Sequence, residues 1–254
     1  MSEILILRPD PEVDGGQVPG WIRTFAADKG PVDWELREVS LSAEGVPAFS
    51  DQVRGVVVLG GTMSAHSGDQ NPWVADLAEF LRQAVAAEVP VLAICLGAQI
   101  AAEAFGGQCA CPAEGQGEEG MVKYILRPGA KDDRWLGPAL RSGSAKLAMR
   151  QAPRVPVSHD DAVVELPEGA TLLAASEKCP NHTWRLGSLL AFQHHPEVTA
   201  QKLATWVAKT AFKAGKQAPQ VAAIRQKALQ EAQGFAQFNE DFGLALVGAF
   251  LSDC

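Results

Sequence analysis

The stretch from residue 55 to residue 105 constrains the fold most. "GVVVLGG" (55–61) is a β-branched run closed by two glycines. "PWVADLAEFLRQAVAAE" (72–88) then sets Val74, Leu77, Leu81 and Val85 at helical spacing, and "VPVLAI" (89–94) is a second apolar run that stops at Cys95. Strands that are apolar at successive positions are covered on both faces, as in a parallel sheet. Pro72 suits a first helical turn, and Ala98 to Phe105 reads as the next helix. Strand–helix–strand–helix order predicts an α/β fold: a three-layer, open, mainly parallel sheet with helices on both faces.

The flanking sequence extends this pattern. Strands are expected at 3–9 and 33–39 with a helix at 17–29 between them. The second half carries short candidate strands at 121–126, 146–150, 162–166, 171–176, 182–186 and 189–194, punctuated by Gly and Pro. These read as a small antiparallel β portion beside the main sheet, with "RLGSL" (185–189) as a tight hairpin turn. From Thr199 onward the pattern is helical: 199–214, 218–232 and 234–251, with a break at "KAGKQAP" (213–219). The expected organisation is one domain over 1–200 and a C-terminal helical extension, 201–254, packed on it. "FGLALVGAFL" (242–251) is too short for the ~20 residues of a membrane span. It is expected to be a buried helix or a homodimer contact.

Charge and cysteine usage exclude several function classes. The net charge is −8 with no Lys/Arg cluster, so a nucleic-acid partner is not expected. The five cysteines, Cys95, Cys109, Cys111, Cys179 and Cys254, are odd in number and irregularly spaced, which fits reduced thiols. "C-A-C" (109–111) lacks further ligands at suitable spacing, so no metal is expected. No phosphate-binding glycine pattern is present and no cofactor is expected. "MSEILILRPDPEVDGG" (1–16) lacks the features of a leader, so the expected location is cytoplasmic, away from a membrane.

Three segments carry chemistry. A thiol with a free pKa near ~8.5 needs a base or a helix N-terminus to become a good nucleophile. If a helix starts directly after Cys95, its first N–H groups face the sulfur, with Leu96 N–H aimed at an oxyanion formed there. Gly97 permits the close turn. The base is sought in "LLAFQHHPEVT": the two-residue period puts Gln193, His195 and Glu197 on one side and His194 on the other. A carboxylate two residues past an imidazole orients it, giving a nucleophile–base–orienter set of Cys95, His195 and Glu197. Gly60 and Gly61 end a strand and leave backbone N–H groups unobstructed, as an oxyanion hole requires. Alone, each segment has a plainer reading as core thiol, solvated histidines or ordinary loop. Together, at successive strand ends, they converge where open α/β sheets place their sites. His182, Cys179, Trp184 and Arg185 read most simply as structural residues, with the Arg185 guanidinium an alternative ligand for a substrate carboxylate, and Cys254 reads as exposed.

The segments "VVVLGGTMSAHSGDQNPW" (56–73), "PVLAICLGAQIAAEAFGGQ" (90–108), "VSHDDAVVELPEGATLLAASEKCPN" (157–181) and "FQHHPEVT" (192–199), with a fainter "GEEGMV" (117–122), resemble the class I glutamine amidotransferases. The similarity is greatest to the glutamine-hydrolysing domain of GMP synthetase and its free-standing relatives. The resemblance implies an enzyme in which Cys95 forms a γ-glutamyl thioester, His195 shuttles the proton and Glu197 orients it. It implies an oxyanion hole from Gly61 and Leu96, a substrate-binding Gln99, and substrate-side backbone at Ser158 and His159. It further implies glutamine or a γ-glutamyl compound as substrate and a synthetase partner that receives ammonia, since about 55 residues beyond the matched region are too few for a nucleotide-activating domain. A γ-glutamyl hydrolase and a catalytically degenerate binding protein are the alternative readings. Three positions depart from the family pattern: Ala93 where glycine is usual, Thr62 where proline is usual, and His194 where an aromatic is usual.

Overall fold

The computed structural model describes residues 2–10, 13, 15–144 and 153–254. The strand expected at 146–150 lies outside them. The strands are β1 (Ser2–Arg8), β2 (Trp34–Ser40), β3 (Val53–Val58), β4 (Val91–Ile94), β5 (Gln108–Ala110), β6 (Glu118–Lys123), β7 (Ile125–Leu126), β8 (Arg154–His159), β9 (Ala162–Glu165), β10 (Thr171–Ala175), β11 (Thr183–Leu186) and β12 (Leu189–Phe192). The helices are α1 (Val18–Lys29), α2 (Leu41–Glu44), α3 (Trp73–Ala86), α4 (Leu96–Ala104), α5 (Leu136–Arg141), α6 (Ala200–Lys213), α7 (Ala218–Gln233) and α8 (Ala236–Leu251).

Eight strands form one sheet in the order β2-β1-β3-β4-β12-β11-β10-β7. The pairs from β2 through β12 are parallel, and those from β12 to β7 are antiparallel. Two small antiparallel pairs, β5–β9 and β6–β8, stand apart. The period of two divides the central strands between two cores. Ile4, Ile6, Val57, Leu92, Leu190 and Phe192 pack with Trp21 and Ile22 of α1, Leu136 and Leu140 of α5, and Phe242 and Phe250 of α8. Leu5, Leu7, Val56, Val58, Val91 and Ala191 pack with Leu77, Phe80 and Leu81 of α3 and Ile100 and Ala101 of α4. This is the three-layer arrangement that the unbroken apolar runs predicted.

Three local expectations change. Residues 121–126 are not one strand: Lys123 pairs with β8, Ile125 pairs with β10, and Tyr124 turns inward between them, its hydroxyl 2.9 Å from Thr183 Oγ1. The strand at 154–159 was missed because its Pro156 argues against a ladder position; it lies in a two-stranded pair, opposite Met121, where one absent N–H is tolerated. The strand expected at 189–194 ends at Phe192. Beyond it, Gln193 N–H donates to His182 O and His195 N–H to Pro156 O.

Helix α8 is anchored beneath α1. The Trp21 indole donates to Glu240 Oε1 at 2.9 Å, and its ring covers Gly243 so closely that a β-carbon there would collide with it. Gly243→Ala therefore overpacks this contact and is expected to lower stability by about 1–3 kcal/mol. In urea the midpoint should fall with an unchanged slope. An unchanged midpoint would mean that α8 shifts freely against Trp21. Cys254, expected to be exposed, is half-buried, with its thiol donating to Phe250 O at 3.4 Å.

Candidate active site

Strands β3, β4 and β12 are adjacent and parallel, so their carboxyl ends meet. Cys95 follows β4 and caps α4 with φ 51° and ψ −108°. A non-glycine residue at positive φ costs about 1–3 kcal/mol and persists only where its surroundings enforce it. Here the enforcement is packing: a β-carbon at Gly97 would lie 2.7 Å from Val58 O, so α4 starts pressed onto β3. Ala93, where the family usually has glycine, is an ordinary buried strand residue opposite Val58 and Ala191. Its methyl needs no special backbone, because the positive φ falls on Cys95.

His195 and Glu197 are both buried, with Nδ1 2.8 Å from Glu197 Oε1. An Nδ1–H donated to the carboxylate leaves Nε2 for the neighbouring Cys95, whose sulfur acts on the ring's charge. Burial of the ring acts to lower its pKa. The Glu197 carboxylate and the Cys95 sulfur outweigh that and push it up to about 10. His195 is therefore held as an imidazolium through neutral pH. The Trp206 ring of α6 meets it edge-on at 5.0 Å and covers its outer side.

A β-carbon at Gly60 would lie 2.8 Å from His195 Cε1 and 3.3 Å from Cys95 Cβ, so this glycine backs directly onto both. Gly61 lies beside Leu96. Thr62 bonds twice to Asp10 Oδ2, through Oγ1 at 2.5 Å and N–H at 3.2 Å, which ties the glycine pair to the segment after β1. Gln99 is buried in α4; its Nε2 donates to Asp161 O at 2.9 Å and to Gln193 Oε1 at 3.3 Å. Ser158 donates to Glu119 Oε2 at 3.2 Å. His159 is buried with Nδ1 3.0 Å from Asp161 O and Nε2 3.6 Å from Glu118 Oε2. Burial acts to raise the Glu118 carboxyl, but the neighbouring His159 ring and the Ser176 hydroxyl, 2.6 Å away, outweigh it and hold it below the usual range.

His194 points away from Cys95, as the alternation predicted. It stacks on His182 at 5.2 Å and meets Tyr124 and Phe192 edge-on at 5.0 Å each. Among the described residues neither imidazole has a hydrogen-bond partner on either nitrogen. Burial drives His182 down to about 3 and holds His194 well below the ordinary histidine value. Arg185, the one guanidinium considered for a substrate carboxylate, is taken by Asp133 in a bidentate pair at 2.7 Å and stacks on Trp135. The described residues contain no group of ligating side chains suited to a metal ion. Sequence reasoning missed Gln193 as a neighbour of the sulfur, although the alternation had put it on the His195 side. It also missed Trp206, because one aromatic on a helix carries no local sign of what it covers.

The family model for glutamine amidotransferase class-I matches residues 31–214. The chain belongs to the class-I glutamine amidotransferase family. Among its amidotransferase relatives, the GMP synthase [glutamine-hydrolyzing] of Herminiimonas arsenicoxydans is 33% identical over 204 residues, covering 78% of this chain and 33% of that one. The corresponding protein of Helicobacter pylori (strain Shi470) is 30% identical over 173 residues, covering 64% and 29%. The chain thus spans about a third of the length of the GMP synthases it matches. The gamma-glutamyl peptidase 3 of Arabidopsis thaliana is 30% identical over 190 residues, covering 74% of this chain and 72% of that one. In fold, the chain resembles a glutamine amidotransferase from Thermotoga maritima, with TM-score 0.75, 20% identity and 98% of each chain covered. No helix among the described residues of this chain is long and apolar enough to cross a membrane.

Proposed function

We propose that the protein hydrolyses the γ-amide of glutamine through a Cys95–His195–Glu197 triad. The observation that carries this reading is the buried His195 ring, bonded to Glu197 at 2.8 Å and set with Cys95 against the same glycine, Gly60, just beyond the ends of β12 and β4. The Cys95 sulfur attacks the side-chain carbonyl carbon, and the oxyanion meets the Gly61 and Leu96 N–H groups, the latter at the first turn of α4. The His195 imidazolium protonates the departing nitrogen, which leaves as ammonia. The ring, now neutral, takes a proton from water as it attacks the γ-glutamyl thioester, and glutamate leaves. Gln99, Ser158 and His159 flank the substrate side. In this reading residues 1–200 carry the chemistry, and the helices of 201–254 complete the core and cover His195. The GMP synthase relatives support release of ammonia to a synthetase partner.

A second reading is favoured by one finding: a gamma-glutamyl peptidase is 30% identical to the chain over 190 residues. A γ-glutamyl amide of a larger amine would use the same thioester. Both readings predict that 6-diazo-5-oxo-norleucine adds once to wild-type protein, at Cys95, and not to Cys95→Ser. Intact-mass spectrometry checks this, and equal labelling of the variant would remove Cys95 from the mechanism. Turnover of glutamine against a γ-glutamyl dipeptide then separates the two readings.

A further inference from the structure

Strands β4 and β12 pair in parallel register with Phe192 opposite Ile94, so the next residues, Gln193 and Cys95, come side by side. Gln193 is buried, and its Nε2 lies 3.6 Å from Cys95 Sγ. The orientation of this amide is determined by its neighbours. Asp161 O is a backbone carbonyl and can only accept, so the Gln99 atom facing it at 2.9 Å is the NH2 group. That same NH2 lies 3.3 Å from Gln193, so the Gln193 atom it meets is the oxygen, and the Gln193 NH2 faces the sulfur. A carbonyl, two carboxamides and the sulfur thus form a directed relay, Asp161 O to Gln99 to Gln193 to Cys95.

We propose that Gln193 is a further catalytic residue, an N–H donor that holds the Cys95 sulfur in its thiolate form and aims it. Hydrogen bonds to a charged acceptor are stronger than to a neutral one, so the donor favours the state in which the thiol proton resides on His195. A glutamine suits this position because it donates without adding charge beside the imidazolium. Gln99 has a positioning role here in addition to any contact with substrate, since it sets which end of Gln193 faces the sulfur. The inference rests on Cys95 being the nucleophile and on no particular substrate.

The test is the pH dependence of Cys95 alkylation by iodoacetamide, site-resolved by peptide mass spectrometry, with circular dichroism to establish folding. Gln193→Met removes the donor at similar length; Gln193→Glu keeps the shape and puts an acceptor against the sulfur. Each is expected to move the alkylation midpoint up by about one pH unit and, at pH values below the wild-type midpoint, to slow the reaction by up to about tenfold. Gln99→Met is expected to shift it in the same direction by less. Profiles of folded Gln193 variants that superimpose on wild type would overturn the proposal. If Cys95 of wild type reacts no faster than the other four thiols, the nucleophile assignment fails instead, and the two failures are distinct.

Discussion

Gly60→Ala is expected to lower kcat/KM for glutamine by about 100-fold or more and to lower stability by about 1–3 kcal/mol while the protein still folds. Gly60 takes no positive φ that an alanine would resist, so the objection is one of space. The added methyl would lie 2.8 Å from His195 Cε1 and 3.3 Å from Cys95 Cβ. The ring has little freedom to yield. Glu197 holds Nδ1 at 2.8 Å, and Trp206 closes the far side. A displacement of about 1 Å between base and nucleophile costs about 100-fold in rate. Displacing the adjacent Gly61 N–H from the oxyanion adds to it. Steady-state ammonia release and a thermal melt on the same preparation measure both halves. Wild-type turnover in a folded Gly60→Ala protein would place the reacting groups elsewhere.

The second large effect is acid lability. The folded pKa of His182 lies at about 3, below an unfolded value near ~6.5. Between those pH values the unfolded chain binds a proton that the native state refuses, so stability is intact above about 6.5 and falls as pH drops toward 3. For His182 alone this amounts to roughly 5 kcal/mol at the acid end, a large share of a typical domain's total stability. His194, stacked on it and held down in the same direction, adds to the loss. The surrounding Tyr124, Phe192 and Phe242 rings offer no acceptor to stabilise a charged imidazole in the stack, and Glu118 is engaged by His159 and Ser176. His194→Phe removes one buried base and two unpartnered nitrogens. Its acid-unfolding midpoint, followed by tryptophan fluorescence, is expected about 0.5 to 1 pH unit below that of wild type. Coincident midpoints would show that the pair is not what acid attacks.

The fold was legible in the sequence because its signals are local. Three consecutive valines before a glycine pair, an amphipathic helix and a second apolar run allow few arrangements other than covered parallel strands. Cys95, His195 and Glu197 were legible as candidates because Cys95 directly follows a strand and the two-residue period put Gln193, His195 and Glu197 on one side, although β12 itself stops at Phe192. Residues whose role depends on a distant neighbour were not. Pro156 conceals a strand that its pairing with the distant β6 sustains. Thr62 is a departure in sequence and an anchor in space, because Asp10 lies 52 residues away. Arg185 was open to a substrate role until Asp133 was found bonded to it.

What the sequence determined by itself was which residues form strand tips and which side each presents, since backbone geometry sets these within a few residues. The tertiary structure alone decided the order of the strands, and with it the approach of Gln193 to Cys95, of Gly60 to His195, and of His194 to His182. Those contacts arise from sheet register and helix packing, whose energies sum over residues far apart in the chain and leave no trace in any short stretch of it.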